Sequence, residues 1–130
     1  YARALASWGV LIALSGYEPP GPKGYLAFAP RVNPEDFRCA FTGAEGWGSF
    51  RQERDTSGQR IEIELRWGRI RLKTLAFEIP EGETVRGLSV RVGDRDIPVG
   101  TRVQDGRVKV AFTDPLTIEK GELLEIGIRF

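Results

Sequence analysis

The residues best suited to chemistry lie in the stretch Phe41-Thr42-Gly43-Ala44-Glu45-Gly46-Trp47-Gly48-Ser49-Phe50, which runs on through Arg51-Gln52-Glu53-Arg54. A strand built only for packing would not mix a carboxylate, an indole and several glycines so densely. Gly46 and Gly48 flank Trp47, and glycine inside a strand marks a bulge or a close backbone approach. Glu45 stands just before that bend, at the end of a strand. A carboxylate, a guanidinium and an aromatic face gathered at one edge suit a polyol such as a sugar. Charged groups bind hydroxyls strongly, and an indole covers the apolar face of the ring. The same pattern also fits a structural arrangement, with Trp47 in a core and Glu45 paired to an arginine on a solvated face.

No other carboxylate has comparable surroundings. Glu62 and Glu64 alternate with apolar residues on the wet face of a strand, and Glu35-Asp36 serves a turn. The sequence contains no histidine, which excludes Ser-His-Asp and Cys-His nucleophile systems and removes the commonest metal ligand. No phosphate-binding glycine loop, zinc motif or EF-hand loop occurs, so neither a metal nor a cofactor is expected. Cys39 is the single cysteine, which rules out an intrachain disulfide. Its neighbours Phe37, Ala40 and Phe41 predict a buried, inert thiol.

At 130 residues the chain has room for one domain with a real core. Nineteen basic against eighteen acidic residues, interspersed, lack the electrostatic footprint of a nucleic-acid binder. The apolar run from Leu5 to Leu14 is too short to span a bilayer and lacks a basic leader and cleavage site. A cytoplasmic location is therefore the expectation. The absence of methionine and the helical character of Tyr1-Ala2-Arg3-Ala4 lead us to expect either a longer reading frame upstream or a trimmed chain.

Which elements would position Glu45? Residues 1–16 read as one helix, with Leu5, Trp8, Leu11, Ile12 and Leu14 at three-four spacing and a stop at Ser15-Gly16. It is apolar around most of its circumference, more than one sheet face can cover, so it is expected to be unsatisfied within a monomer and to invite a homodimer. Thereafter the sequence is β: Tyr25–Ala29, Phe37–Thr42, Ser49–Arg54, Gln59–Trp67, Ile70–Ile79, then Leu88–Val92, Arg95–Val99, Arg107–Phe112, Leu116–Glu119 and Leu123–Phe130. Ile61, Ile63, Leu65 and Trp67 alternate with charged residues, placing Trp67 on the core face. Gly68 and Asp114-Pro115 are expected turns, and the parity change between Leu72 and Leu75 predicts a bulge near Lys73-Thr74. The fold class is mainly β, an antiparallel sandwich-like domain led by one helix.

Three separated motifs carry a resemblance to a known family. These are Ala6-Ser7-Trp8 with Leu14-Ser15-Gly16-Tyr17, Gly24-Tyr25-Leu26-Ala27-Phe28-Ala29-Pro30-Arg31, and above all Phe41 to Phe50. In this order they resemble the C-terminal end of the catalytic domain of glycoside hydrolase family 116, which holds bacterial β-glucosidases and the non-lysosomal glucosylceramidase. The resemblance implies that the helix is the last of a missing (α/α)6 toroid and that Glu45 contacts glucose hydroxyls. It also implies that Arg54, nine residues on, partners Glu45, with Trp47 shaping the pocket wall. That family's nucleophile and acid/base belong to motifs upstream of this chain, so no residue here is expected to be catalytic. Residues 1–56 would then end a glucosidase catalytic domain, and 57–130 would be a β-rich extension packed with it. The expected partners are a glucoside and the missing catalytic domain. The alternative is a non-catalytic β-sandwich interaction module, in which Glu45 and Arg54 form a surface pair.

Overall fold

The computed structural model describes residues 2–130, apart from the side chains of residues 2 and 5. Tyr1, the expected first helical residue, and the Leu5 side chain therefore lie outside the described residues. Helix α1 covers Ala2–Ser15, and nine strands follow. They are β1 Tyr25–Phe28, β2 Asp36–Thr42, β3 Gly46–Arg54, β4 Gly58–Glu78, β5 Gly87–Val92, β6 Arg95–Asp96, β7 Val99–Gln104, β8 Arg107–Glu119 and β9 Leu123–Arg129. The mainly β, sandwich-like class expected from the sequence is what forms.

Strand β4 belongs to two sheets. Its first half pairs with β3 and β9 in a sheet ordered β2-β3-β4-β9-β5-β6. Its second half pairs antiparallel with β8 and, on the other edge, parallel with β1, while β7 flanks β8. Strands on both sides of residue 56 thus share the same sheets.

Two irregularities let one strand do this. Opposite Trp47 and Gly48 the register shifts, so that Trp47 faces Trp67 while Gly48 faces Leu65, and Arg66 is left as an extra residue. Opposite β8 a second shift falls between Leu72 and Thr74, the bulge expected from the parity change. Gly68, expected to be a turn, is instead a bend inside the strand, with φ of 75°. The extra residue at Arg66 also reverses the alternation. Ile61, Ile63 and Leu65 are buried, but Trp67 points outward, contrary to its expected core position. Asp114-Pro115 likewise does not end a strand. It lies where β8 skips pairing between Ala111 and Leu116, so proline's missing N–H costs no ladder bond. The expected strand Arg95–Val99 is divided between β6 and β7.

An aromatic cluster joins the sheets. Phe28 from β1 stacks on Phe50 from β3 with ring centroids 3.8 Å apart, and Phe41, Phe77 and Tyr17 close around them. All four phenylalanines are essentially inaccessible to solvent. Helix α1, by contrast, remains uncovered, as its apolar circumference led us to expect. Trp8, Val10, Ile12 and Leu14 are exposed, and among the described residues no strand packs extensively on the helix. Two backbone bonds hold its end: Ala29 N–H donates to Ser15 O at 2.9 Å and Arg31 N–H to Leu14 O at 2.7 Å.

Phe50→Ala opens a cavity at the point where both sheets meet. A loss of about 3–5 kcal/mol in unfolding free energy is expected, measured by urea denaturation, with Phe50→Leu costing less.

Candidate functional site

Glu45 occupies the turn between β2 and β3, closed by Gly43 N–H donating to Gly46 O at 2.7 Å. Its backbone carbonyl accepts from Arg69 N–H at 3.1 Å, and its Oε2 accepts from Arg69 Nε at 2.9 Å. Arg69 therefore grips Glu45 twice, once through the main chain and once through the guanidinium. Both side chains are more than half exposed, so the pair contributes ~0–1 kcal/mol to stability. What it fixes is orientation: a carboxylate with one oxygen bonded and its other polar capacity turned to solvent.

Glycines allow this approach of strands. A Cβ at Gly48 would collide with the Glu64 carbonyl oxygen, and Gly68 adopts a left-handed φ directly beneath the Glu45 carbonyl. Their effect is to bring Glu45, Trp47, Trp67 and Arg69 to one end of the β3–β4 ladder. Trp47 and Trp67 are register partners and are 48% and 58% exposed. At Glu45 and Arg69 a cleft of about 320 Å³ opens, lined also by Pro20, Pro22, Arg71 and Lys73, with Glu45 its one acid among the described residues.

Arg54 is elsewhere. It ends β3, and the extended strand separates it from Glu45 by roughly 25 Å at the usual rise per residue. One sugar ring cannot reach both. Arg54 instead belongs to a polar network at the opposite edge: its Nε donates to Gln59 Oε1 at 2.8 Å and its Nη2 to the Glu78 carbonyl at 2.9 Å. Gln59 Nε2 donates to Gln52 Oε1 at 3.0 Å, and Gln52 Nε2 to the Pro34 carbonyl at 2.8 Å. Gln52 and Gln59 are buried, so the chain of bonds satisfies amides that would otherwise be costly. Burial pulls the Arg54 pKa below its usual value, opposed by Glu35 and Glu78. Arg54 also lines a broad depression of about 950 Å³ with Glu35, Arg60 and Arg129.

The guanidinium that meets Glu45 is thus Arg69, which the sequence reading missed, as it missed the exposure of Trp67. A signal existed. Pairing outward from the turn at 55–58 brings the Glu45 region opposite Gly68-Arg69, but the bulged residue had to be known to fix the register.

Cys39 and Tyr17 form a second pair of perturbed groups. Burial pushes the Cys39 thiol up to about 11. Burial first, then the Cys39 thiol, push Tyr17 up to about 12. Tyr17 O–H donates to the Thr42 carbonyl, tying the segment after α1 to β2. Among the described residues no group of His, Cys, Asp and Glu could hold a metal, and no helix is long and apolar enough to cross a membrane.

No protein-family model and no curated protein matches this sequence. Solved structures do match. One is a GH127 β-L-arabinofuranosidase from Geobacillus stearothermophilus T6, with TM-score 0.51 and 15% identity over 98% of this chain and 18% of that one. Another is an α-L-rhamnosidase from Dictyoglumus thermophilum, with TM-score 0.48 and 10% identity over 90% of this chain and 12% of that one. This chain spans less than a fifth of the length of either. The similarity to the first is one of fold: this architecture occurs inside a much larger glycoside hydrolase.

Two outcomes follow. Arg54→Ala strips Gln59 Oε1 of its donor, leaves the Glu78 carbonyl with Gln59 Nε2 alone, and lowers stability by about 1–3 kcal/mol in equilibrium unfolding. Arg54→Lys does not fully rescue it, because one ammonium cannot reproduce the fork. Cys39 and Tyr17 hold their protons more tightly folded than unfolded. Their contribution to stability is therefore complete below pH 9.0, the ordinary thiol value, and is lost as pH rises through about 11 and about 12. Melting temperature followed against pH should fall across that window, and Cys39→Ala should flatten its lower part.

Proposed function

We propose that this chain is the β-sandwich part of a larger glycoside hydrolase, seated on the remainder of the enzyme through α1 and lacking the catalytic carboxylate pair itself. The observation that carries this reading is α1, a helix with Trp8, Val10, Ile12 and Leu14 in solvent and two backbone bonds at its end. Apolar surface of that kind is normally covered. The fold supports the assignment, since a similar one lies within a GH127 enzyme many times longer.

The chain's own part in the reaction would be recognition of sugar hydroxyls by Glu45, oriented by Arg69 and walled by Trp47. Arg54 would support the scaffold rather than touch the sugar. The three motifs that resemble family 116 favour a β-glucoside or glucosylceramide-like substrate. The GH127 neighbour carries the name of an arabinofuranosidase, a different sugar, so the glucoside reading rests on those motifs. Retaining hydrolysis needs two carboxyl groups ~5 Å apart, and the cleft at Glu45 supplies one.

The 130-residue chain should therefore show no turnover of aryl β-glucosides or aryl α-L-arabinofuranosides above a buffer blank. It should bind a parent enzyme truncated of this region and restore its activity, and Val10→Asp with Leu14→Asp should abolish that rescue. A stable homodimer through α1 that does not exchange for the catalytic part would favour the interaction module instead. A monomer with fully protected α1 amides in hydrogen exchange would overturn the docking role of the helix.

A further inference from the structure

We infer that Trp47 and Trp67 together form a two-indole platform for the apolar face of a neutral pyranose ring. This rests on the sugar-recognition reading of Glu45 and Trp47, and it adds Trp67 and the face of the ring that is bound. Three features point the same way. Trp67 reaches the surface because the extra residue at Arg66 reverses the alternation of β4, and bulges commonly re-aim side chains beside working sites. Gly48 and Gly68, positions where a Cβ has no room, hold β3 and β4 in the register that makes Trp47 and Trp67 partners across the strands. Directly opposed residues on neighbouring strands have Cβ atoms about 5 Å apart, so the two indoles fall within the compass of one or two sugar rings.

The surroundings select a saccharide over a protein. The indoles are bordered by charged side chains already engaged with each other: Glu45 with Arg69, and Glu64 with Arg66 at 3.2 Å. An apolar patch of two side chains within such a rim falls far short of the ~1,000 Å² that a specific protein interface needs. It matches a ring with one apolar face and an equatorial girdle of hydroxyls. The ring would lie on the indoles, and its hydroxyls would bond the Glu45 carboxylate and the Arg69 guanidinium. No covalent step is involved. The ligand class is a neutral pyranoside.

The test uses the three tryptophan indole N–H signals of the full chain, titrated with methyl β-D-glucopyranoside, cellobiose and the acyclic polyol mannitol. Expected are saturable shifts of Trp47 and Trp67 with both pyranosides, a fixed Trp8 signal, and no saturation with mannitol, which has hydroxyls but no ring face. Trp67→Arg should weaken binding roughly 10-fold, the scale of one lost aromatic contact and its buried area, while Trp67→Phe retains it. Trp67 is exposed, so both variants should keep the wild-type melting curve. If Trp67→Arg fails to fold, Trp67→Phe together with the Trp67 signal itself decides the case. Unchanged affinity in Trp67→Arg, with loss in Glu45→Gln, would overturn the platform and leave the Glu45 reading standing. Saturation with mannitol would likewise remove the platform. No saturable shift in wild type with either pyranoside overturns both.

Discussion

The structure depends on one strand serving two sheets. β4 carries neighbours on both edges for most of its length, with β3 and β9 along its first half and β8 and β1 along its second. A strand that long must twist and bend to keep both sets of ladder bonds. The bulge at Arg66 and the left-handed Gly68 supply the bend within a few residues. Because the first sheet ends and the second begins there, that point is also where Glu45, Trp47, Trp67 and Arg69 converge. The site is a consequence of how the sheets are joined.

The two ends of β3 divide the work. At the Arg54 end polar groups are turned inward, and a continuous run of hydrogen bonds from Pro34 to Glu78 satisfies two buried glutamines. At the Glu45 end polar groups are turned outward, with weakly stabilising ion pairs between side chains that keep most of their hydration. The first arrangement favours a fixed scaffold and the second leaves groups ready for a ligand. Helix α1 is a third kind of surface, apolar and of a chemistry that suits protein packing.

Much of this was legible in the chain. The alternation Ile61, Ile63, Leu65, the turn residues Asp55–Gly58 and Asp105-Gly106, and the apolar periodicity of residues 1–16 each report a local preference that tertiary contacts did not override. The excess apolar circumference of α1 was likewise legible, because amphipathicity is a property of one helix alone. The parity change at Lys73-Thr74 announced its bulge for the same reason: the pattern on either side was clear.

The identity of Glu45's partner was decided by tertiary structure. Sequence spacing proposes partners along one strand, and Arg54 was the natural candidate, yet a strand is extended and carries its two ends apart. Pairing across strands brings together residues far apart in sequence, and one bulged residue shifts that pairing and reverses the face of everything beyond it. Trp67 shows the consequence, since a residue with the periodicity of the core stands in solvent. The sequence determined which segments are strands, which helix is apolar and where the unusual glycines lie. The register of β3 on β4, set by the close approach at Gly48 and the bend at Gly68, decided which charges and rings those strands bring together.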